Sequence, residues 1–280
     1  MDREGNNMKL ALNGATTMKA DLVTDIGAAS AAGFDYVEIW AAKLREYLKL
    51  HSTSQLAELL ETNNIAPYSI NSIERITFRD SEEFGQLVEE CEELCRIAAE
   101  IGCPYIVVVP SPLPEDADTE EVIEESVRSL RDIAGIAQFH GVSLAFEFLG
   151  QKDCSVRTLA LASEIVQQVD RPNVGLVLDS FHFYAGGSTI ESIRALDPDR
   201  LFIFHINDAE DRPRAELEDR HRLFPGLGIL PLRDITSALR DINYNRVASV
   251  EIFRPEYWER DPFEVASEAH KTAAKALELE

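Results

Sequence analysis

Lysine is scarce in this chain. Seven lysines and 20 arginines stand against 50 Asp and Glu in 280 residues, a formal net charge of -23. A field of that sign repels phosphate backbones and anionic lipid surfaces, so neither nucleic acid nor a membrane is expected as a partner. Such a surface suits a high-salt cytoplasm or an Arg-biased genome equally well. Cysteine is scarce too. Cys91, Cys95, Cys103 and Cys154 are too few and too irregularly spaced for the disulfide framework of a secreted domain. Cys91 and Cys95 lie one helical turn apart, but no second Cys or His pair sits nearby, so they read as small buried hydrophobes. No apolar run approaches the roughly 18 residues of a membrane span, and MDREGNNMKL lacks the apolar segment of a signal peptide. A soluble, cytoplasmic protein is expected. Glycine-rich phosphate loops are missing as well: neither GxGxxG nor GxxxxGK[ST] follows any strand-like run, which weakens the case for a doubly wound nucleotide-binding sheet.

What the chain does contain is one unit repeated. Eight short β-type runs, MKLALN (8–13), FDYVEI (34–39), APYSIN (66–71), YIVVVP (105–110), VSLAFEF (142–148), NVGLVLD (173–179), LFIFHIN (201–207) and VASVEIF (247–253), alternate with amphipathic helical stretches. From Ser81 to Ile101 apolar residues recur at steps of three and four, and Thr119 to Phe139 repeats the pattern behind Asp118 as N-cap with Glu121 three residues on. Gly33, Gly102 and Gly141 each stand between a helix and a strand, where a left-handed C-cap is wanted. The fold class expected is α/β, a single-domain (β/α)8 TIM barrel over residues 8–280, with the polar residues 1–7 as a leader outside it.

Four successive runs in the second half end in a metal-type ligand: VSLAFE at Glu147, NVGLVLD at Asp179, LFIFH at His205 and VASVE at Glu251. A lone acidic residue after a strand is usually a solvated cap. Four in series fit that reading poorly, because the C-terminal ends of parallel barrel strands meet at one rim. Three carboxylates gathered there would repel one another, and a bound cation is the simplest way to keep them ionised. Three oxygens and one imidazole suit a single divalent ion, Mn²⁺ first, with Mg²⁺, Co²⁺ and Zn²⁺ also compatible with these ligand types.

His182, three residues after Asp179 in DSFH, is placed by a helical turn on the same side and is a candidate for a substrate oxygen or for support of the ligand. Asn13 and Asn71 end the first and third runs, where they would either hydrogen-bond a sugar hydroxyl or form turns. Glu38 is a weaker candidate of the same kind. Trp40, Phe183, Phe253, Tyr257 and Trp258 are read either as an apolar wall for a sugar ring or as core.

The stretches LAFEFLG, NVGLVLDSFHFYAGGSTIES, HINDAED, PGLG and SVEIFRPEYW resemble the sugar isomerase and epimerase superfamily with the xylose isomerase-like TIM barrel, and within it the inosose (2-keto-myo-inositol) isomerases. The resemblance runs from MKLALNGATT to the last strand. It implies that Glu147, Asp179, His205 and Glu251 hold the metal, and that Glu147 and Glu251 are the catalytic acid and base. It also implies that Arg222, before PGLG, contacts substrate. The activity implied is metal-dependent isomerisation of a keto-inositol or related ketose, by proton transfer through an enediolate. Ketose 3-epimerase, hydroxypyruvate isomerase and dehydroshikimate dehydratase chemistry use a similar cage and stay open. A non-enzymatic sugar-binding descendant is a third class of reading, but no ligand of the quartet is missing. An AP endonuclease of the endonuclease IV type shares the barrel, yet it builds a His-rich multi-metal cluster, and this chain has six His and an acidic surface. Two positions depart from the family pattern near the expected substrate: Asn207 in HIND, where relatives carry Asp, and Leu227 in PGLG, often polar in relatives. The sequence leaves oligomeric state open.

Overall fold

The computed structural model describes residues 8–279, so the expected leader 1–7 lies outside the described residues. Among the described residues there are ten strands: β1 (Lys9–Asn13), β2 (Tyr36–Trp40), β3 (Ala66–Ile73), β4 (Tyr105–Val108), β5 (Ser143–Glu147), β6 (Val174–Asp179), β7 (Leu201–Ile206), β8 (Asp208–Ala209), β9 (Arg222–Leu223) and β10 (Val247–Val250). Eight of them form a closed parallel barrel in the order β1-β10-β7-β6-β5-β4-β3-β2, while β8 and β9 make a small antiparallel hairpin on the rim. Closure rules out the doubly wound alternative. Among the described residues no helix is long and apolar enough to cross a membrane.

Strand alternation divides the side chains between two cores. Ala11, Val107, Ala145, Val177, Ile203 and Val247 pack together in the barrel interior, and a larger cluster fills the layer between strands and helices. Cys91 and Cys95 belong to that outer layer, fully buried with their sulfurs 3.8 Å apart. The helices Ser81–Ile101 and Thr119–Phe139 have the bounds that their periodicity predicts, and each opens with a reciprocal capping box, Asp80 with Glu83 and Asp118 with Glu121. Gly33 and Gly102 end their helices at φ 88° and 71°, a conformation that only glycine adopts without strain.

The expected strand 247–253 is shorter than its apolar run. After Val250 the Thr16 side chain takes over from the ladder: its hydroxyl donates to the Val250 carbonyl at 2.8 Å and accepts from the Ile252 N–H at 3.1 Å. Glu251 therefore stands just beyond the strand, as a first rim residue. Glu147 and Asp179 are the last residues of β5 and β6, and His205 is the last but one of β7.

The long segment after β7 is tied down by Asp208. Its buried carboxylate accepts from the backbone N–H of Ala209, Gly226 and Leu230 at 2.9, 3.0 and 2.8 Å. The HIND and PGLG blocks are thus two halves of one clasp, and the segment between them carries Arg222. Asp208→Ala would leave those donors unsatisfied, a loss of about 1–3 kcal/mol by the usual cost of orphaned buried groups. Urea unfolding should show that loss, with faster amide exchange at Gly226 and Leu230; wild-type stability and protection would refute the clasp.

Candidate metal centre

One ligand atom from each of Glu147, Asp179, His205 and Glu251 lies within 4.8 Å of the other three. Two ligands on opposite sides of a divalent ion are about 4 Å apart, so the spacing fits a single cation. All four residues are buried. Register explains the convergence: Asp179 and His205 are direct partners across β6 and β7, and Glu147 pairs with Val177 one strand further. Asp179 has two tasks. Its Oδ1 caps the helix Ser180–Gly186 by accepting from the His182 N–H at 2.7 Å, which leaves Oδ2 turned toward the cluster.

His205 presents its two ring nitrogens to different partners. Nδ1 lies 2.9 Å from Glu147 Oε1 and 3.4 Å from Glu251 Oε2, whereas Nε2 lies 3.1 and 3.2 Å from the two oxygens of Glu38. Burial disfavours an imidazolium there, but the carboxylates of Glu251, Glu38 and Glu147 outweigh it and hold His205 well above its usual range. Glu147 is pushed up to about 8, by burial first and then by the charges of Glu251 and Asp179. Glu251 goes the other way: burial opposes its charge, yet His205 and Arg222 keep it below the ordinary carboxylate range. Such a cluster is stable either holding protons or holding a cation, and a divalent ion would displace the protons. The donor set fits a metal.

Arg222 is the counter-charge. It is 0% exposed, stacked between the rings of Phe181 and Phe253 at 4.9 and 5.1 Å. One terminal nitrogen donates to Asp179 Oδ2 at 2.8 Å and to Glu251 Oε2 at 3.0 Å. The other meets His182 Nε2 at 3.0 Å and Asp219 Oδ1 at 2.9 Å, and Nε donates to Asp219 at 3.2 Å. A guanidinium has five N–H bonds and no acceptor, so all five are engaged. Arg222 must donate to His182, which puts that ring's own proton on Nδ1. Burial lowers the His182 pKa, in keeping with the neutral ring. The Nδ1–H is buried and has no hydrogen-bond partner among the described residues.

Three residues expected to contact substrate meet protein partners at the centre. All five N–H bonds of Arg222 go to the protein groups just named. Asn13 and Asn71 lie at the centre, but each amide nitrogen donates to Glu38 Oε1, at 2.6 and 2.8 Å, and to Glu251 Oε1, at 3.0 and 2.8 Å. Two carboxylates absorb both hydrogens of each amide. Asn207 is fully buried: it donates to Asp179 Oδ2 at 2.8 Å and accepts from Ser180 Oγ at 2.8 Å. Asp219, which sequence reasoning missed, had no signal beyond its place three residues before Arg222. Of the aromatic candidates, Trp40 and Phe253 meet edge to face at 5.6 Å beside the centre, and Phe183 is core. Tyr257 stacks on Phe224 at 4.2 Å, and Trp258 Nε1 donates to the Ala15 carbonyl at 2.9 Å. Leu227 is half exposed.

Known proteins resemble this chain over nearly its whole length. Residues 26–278 match the family model described as xylose isomerase-like TIM barrel. The inosose isomerases of Bacillus subtilis (strain 168) and Bacillus velezensis are 41% and 40% identical to this chain, covering 96% and 97% of it and 98% and 96% of their own lengths. The crystal structure of the IOLI protein with a binding zinc atom superposes with a TM-score of 0.94 at 40% identity, over 96% of this chain and 98% of that one. By matched model, full-length identity and barrel geometry together, the chain belongs to the xylose isomerase-like TIM barrel family.

Proposed function

We propose that this protein is a divalent-metal-dependent isomerase of a keto-inositol (inosose) or a related ketose, working by proton transfer through an enediolate. The buried Glu147, Asp179, His205 and Glu251 cluster carries this reading, in a chain 41% identical to an inosose isomerase. A divalent ion held by these four side chains would supply Lewis-acid polarisation of the substrate's carbonyl and neighbouring hydroxyl oxygens. Mn²⁺ is favoured on the three oxygen donors, and the zinc of the similar solved structure makes Zn²⁺ the first competitor.

Glu147 and Glu251 form the proton-transfer pair: one removes the proton from the hydroxyl-bearing carbon beside the carbonyl, the other returns one to the former carbonyl carbon, and the hydroxyl proton passes to the former carbonyl oxygen. His182 Nδ1–H is the donor left for a substrate oxygen, since Arg222 occupies its other nitrogen. Trp40 and Phe253 offer a flat apolar edge beside the centre, suited to a ring carbon face. Epimerisation of a free ketose needs the same removal and return of a proton and is the second reading; a panel of inososes, ketoses, hydroxypyruvate and dehydroshikimate, followed by NMR in D₂O, decides between them.

Chelation should abolish turnover and lower the melting temperature, because a ligand that binds only the folded state stabilises it by mass action. Re-addition of Mn²⁺ or Zn²⁺ should restore both, and full turnover in a verified metal-free sample would refute the metal's role. Glu147→Gln and Glu251→Gln should each lose activity by about 10²–10⁴-fold with metal still bound, since an amide cannot cycle a proton. Near wild-type turnover by either variant, with occupancy confirmed, would reduce that residue to a ligand.

Metal affinity should also depend on pH. Protons on His205, held well above its usual range, and on Glu147, pushed up to about 8, compete with the cation, so affinity rises with pH through that range. Calorimetry across that range should show proton release on binding. A flat profile would contradict the proton-for-metal exchange.

A further inference from the structure

Glu38 is a fully buried carboxylate on the second strand, outside the ligand quartet and across the barrel from His205. It makes four contacts at the centre. His205 Nε2 approaches both of its oxygens, at 3.1 and 3.2 Å, and Asn13 and Asn71 donate to Oε1 at 2.6 and 2.8 Å. Its carboxylate is surrounded by donors, which keeps it an acceptor. An acceptor facing Nε2 requires the proton there, so the lone pair of the neutral ring is on Nδ1. That is the nitrogen that faces Glu147 and Glu251.

The same carboxylate reaches Glu251 indirectly. Asn13 and Asn71 each bridge Glu38 Oε1 and Glu251 Oε1, so one oxygen of Glu251 is saturated by two amides. The other, Oε2, is the one near His205 Nδ1 and Arg222. Asn13 is itself fixed, because its Oδ1 accepts from the Ala15 N–H at 2.8 Å. A single group below the rim thus selects the coordinating atom of two ligands on neighbouring strands.

We propose that Glu38 is the positioning residue of the metal centre: it holds His205 in the Nε2–H tautomer so that Nδ1 coordinates, and through Asn13 and Asn71 it presents Glu251 by Oε2. This rests on the metal site in the proposed function but not on the identity of the substrate. Asn13 and Asn71 become parts of the bracket.

The test uses the full chain loaded with Zn²⁺, which is diamagnetic, and two variants. Glu38→Ala removes the acceptor. Glu38→Gln keeps the volume while weakening the acceptor and setting an NH₂ group against the asparagine amides. Chelator competition should give a Zn²⁺ affinity about 10- to 100-fold weaker in each variant, the range for loss of a carboxylate that supports a ligating histidine. In ¹⁵N-histidine spectra the wild type should show His205 coordinated by Nδ1, with a downfield, slowly exchanging Nε2 proton. Glu38→Gln should move that proton upfield, and Glu38→Ala should speed its exchange or switch the coordinating nitrogen. A merely structural role would lower melting temperature without changing the tautomer signature. If Glu38→Ala does not fold, Glu38→Gln decides: wild-type Zn²⁺ affinity with an unshifted Nε2 proton overturns the proposal. Affinity and tautomer are read without substrate, so an enzyme inactive on every inosose would sink the isomerase reading and leave this one standing.

Discussion

Crowding of negative charge at one buried rim governs this molecule. Glu38, Glu147, Asp179 and Glu251 are all withdrawn from solvent at the end of an apolar barrel, and no such set is stable without positive or hydrogen-bonding partners. The neighbours match that requirement group by group. His205 lies between Glu38 and the Glu147–Glu251 pair, Arg222 bridges Asp179 and Glu251, and three asparagine amides take up further oxygens. These pairings hold together one compact cluster with the spacing of a cation. The positions of the four side chains are therefore set by the same contacts that offset their charge.

The same constraint explains why so much of the rim serves the ligands rather than a substrate. Arg222 could not sit in the barrel mouth unless its loop were anchored, and Asp208 provides the anchor by joining the HIND and PGLG blocks. Motif blocks that sequence reasoning assigns to substrate contact also hold charge in place. Asn207 illustrates it: an Asp at that position would have no side-chain N–H to donate to Asp179 and would add another carboxylate beside it.

How far the sequence foretold this follows from what each feature depends on. Barrel, helix bounds and caps are local: apolar period, an acidic N-cap, a glycine at the end. The convergence of Glu147, Asp179, His205 and Glu251 was legible because a closed parallel barrel turns strand ends into neighbours, whatever the chain length between them. Hydrogen-bond partners were not. Glu38 and His205 are 167 residues apart and Asn13 and Glu251 are 238 apart, and no periodicity says which rim residue faces which. That the amides of Asn13 and Asn71 would be engaged by Glu38 and Glu251 was not legible, since a free amide and an engaged one look alike in sequence. The early end of β10 has the same cause, a Thr16 hydroxyl from the other end of the chain.

The saturation of Arg222 also bears on substrate class. Its five N–H bonds go to Asp179, Glu251, Asp219 and His182, and nearby Lys43 is held by Asp25 and by the Gly14 and Thr17 carbonyls. Neither cation has a face left for a phosphate, and the surrounding field is negative. A phosphorylated sugar would meet repulsion without compensation, whereas a neutral polyol ketone needs only acceptors for its hydroxyls and a donor for one oxygen. On the proposed reading the carboxylates serve the first and His182 Nδ1–H the second, a charge pattern suited to the unphosphorylated cyclitol or ketose of the proposed reaction.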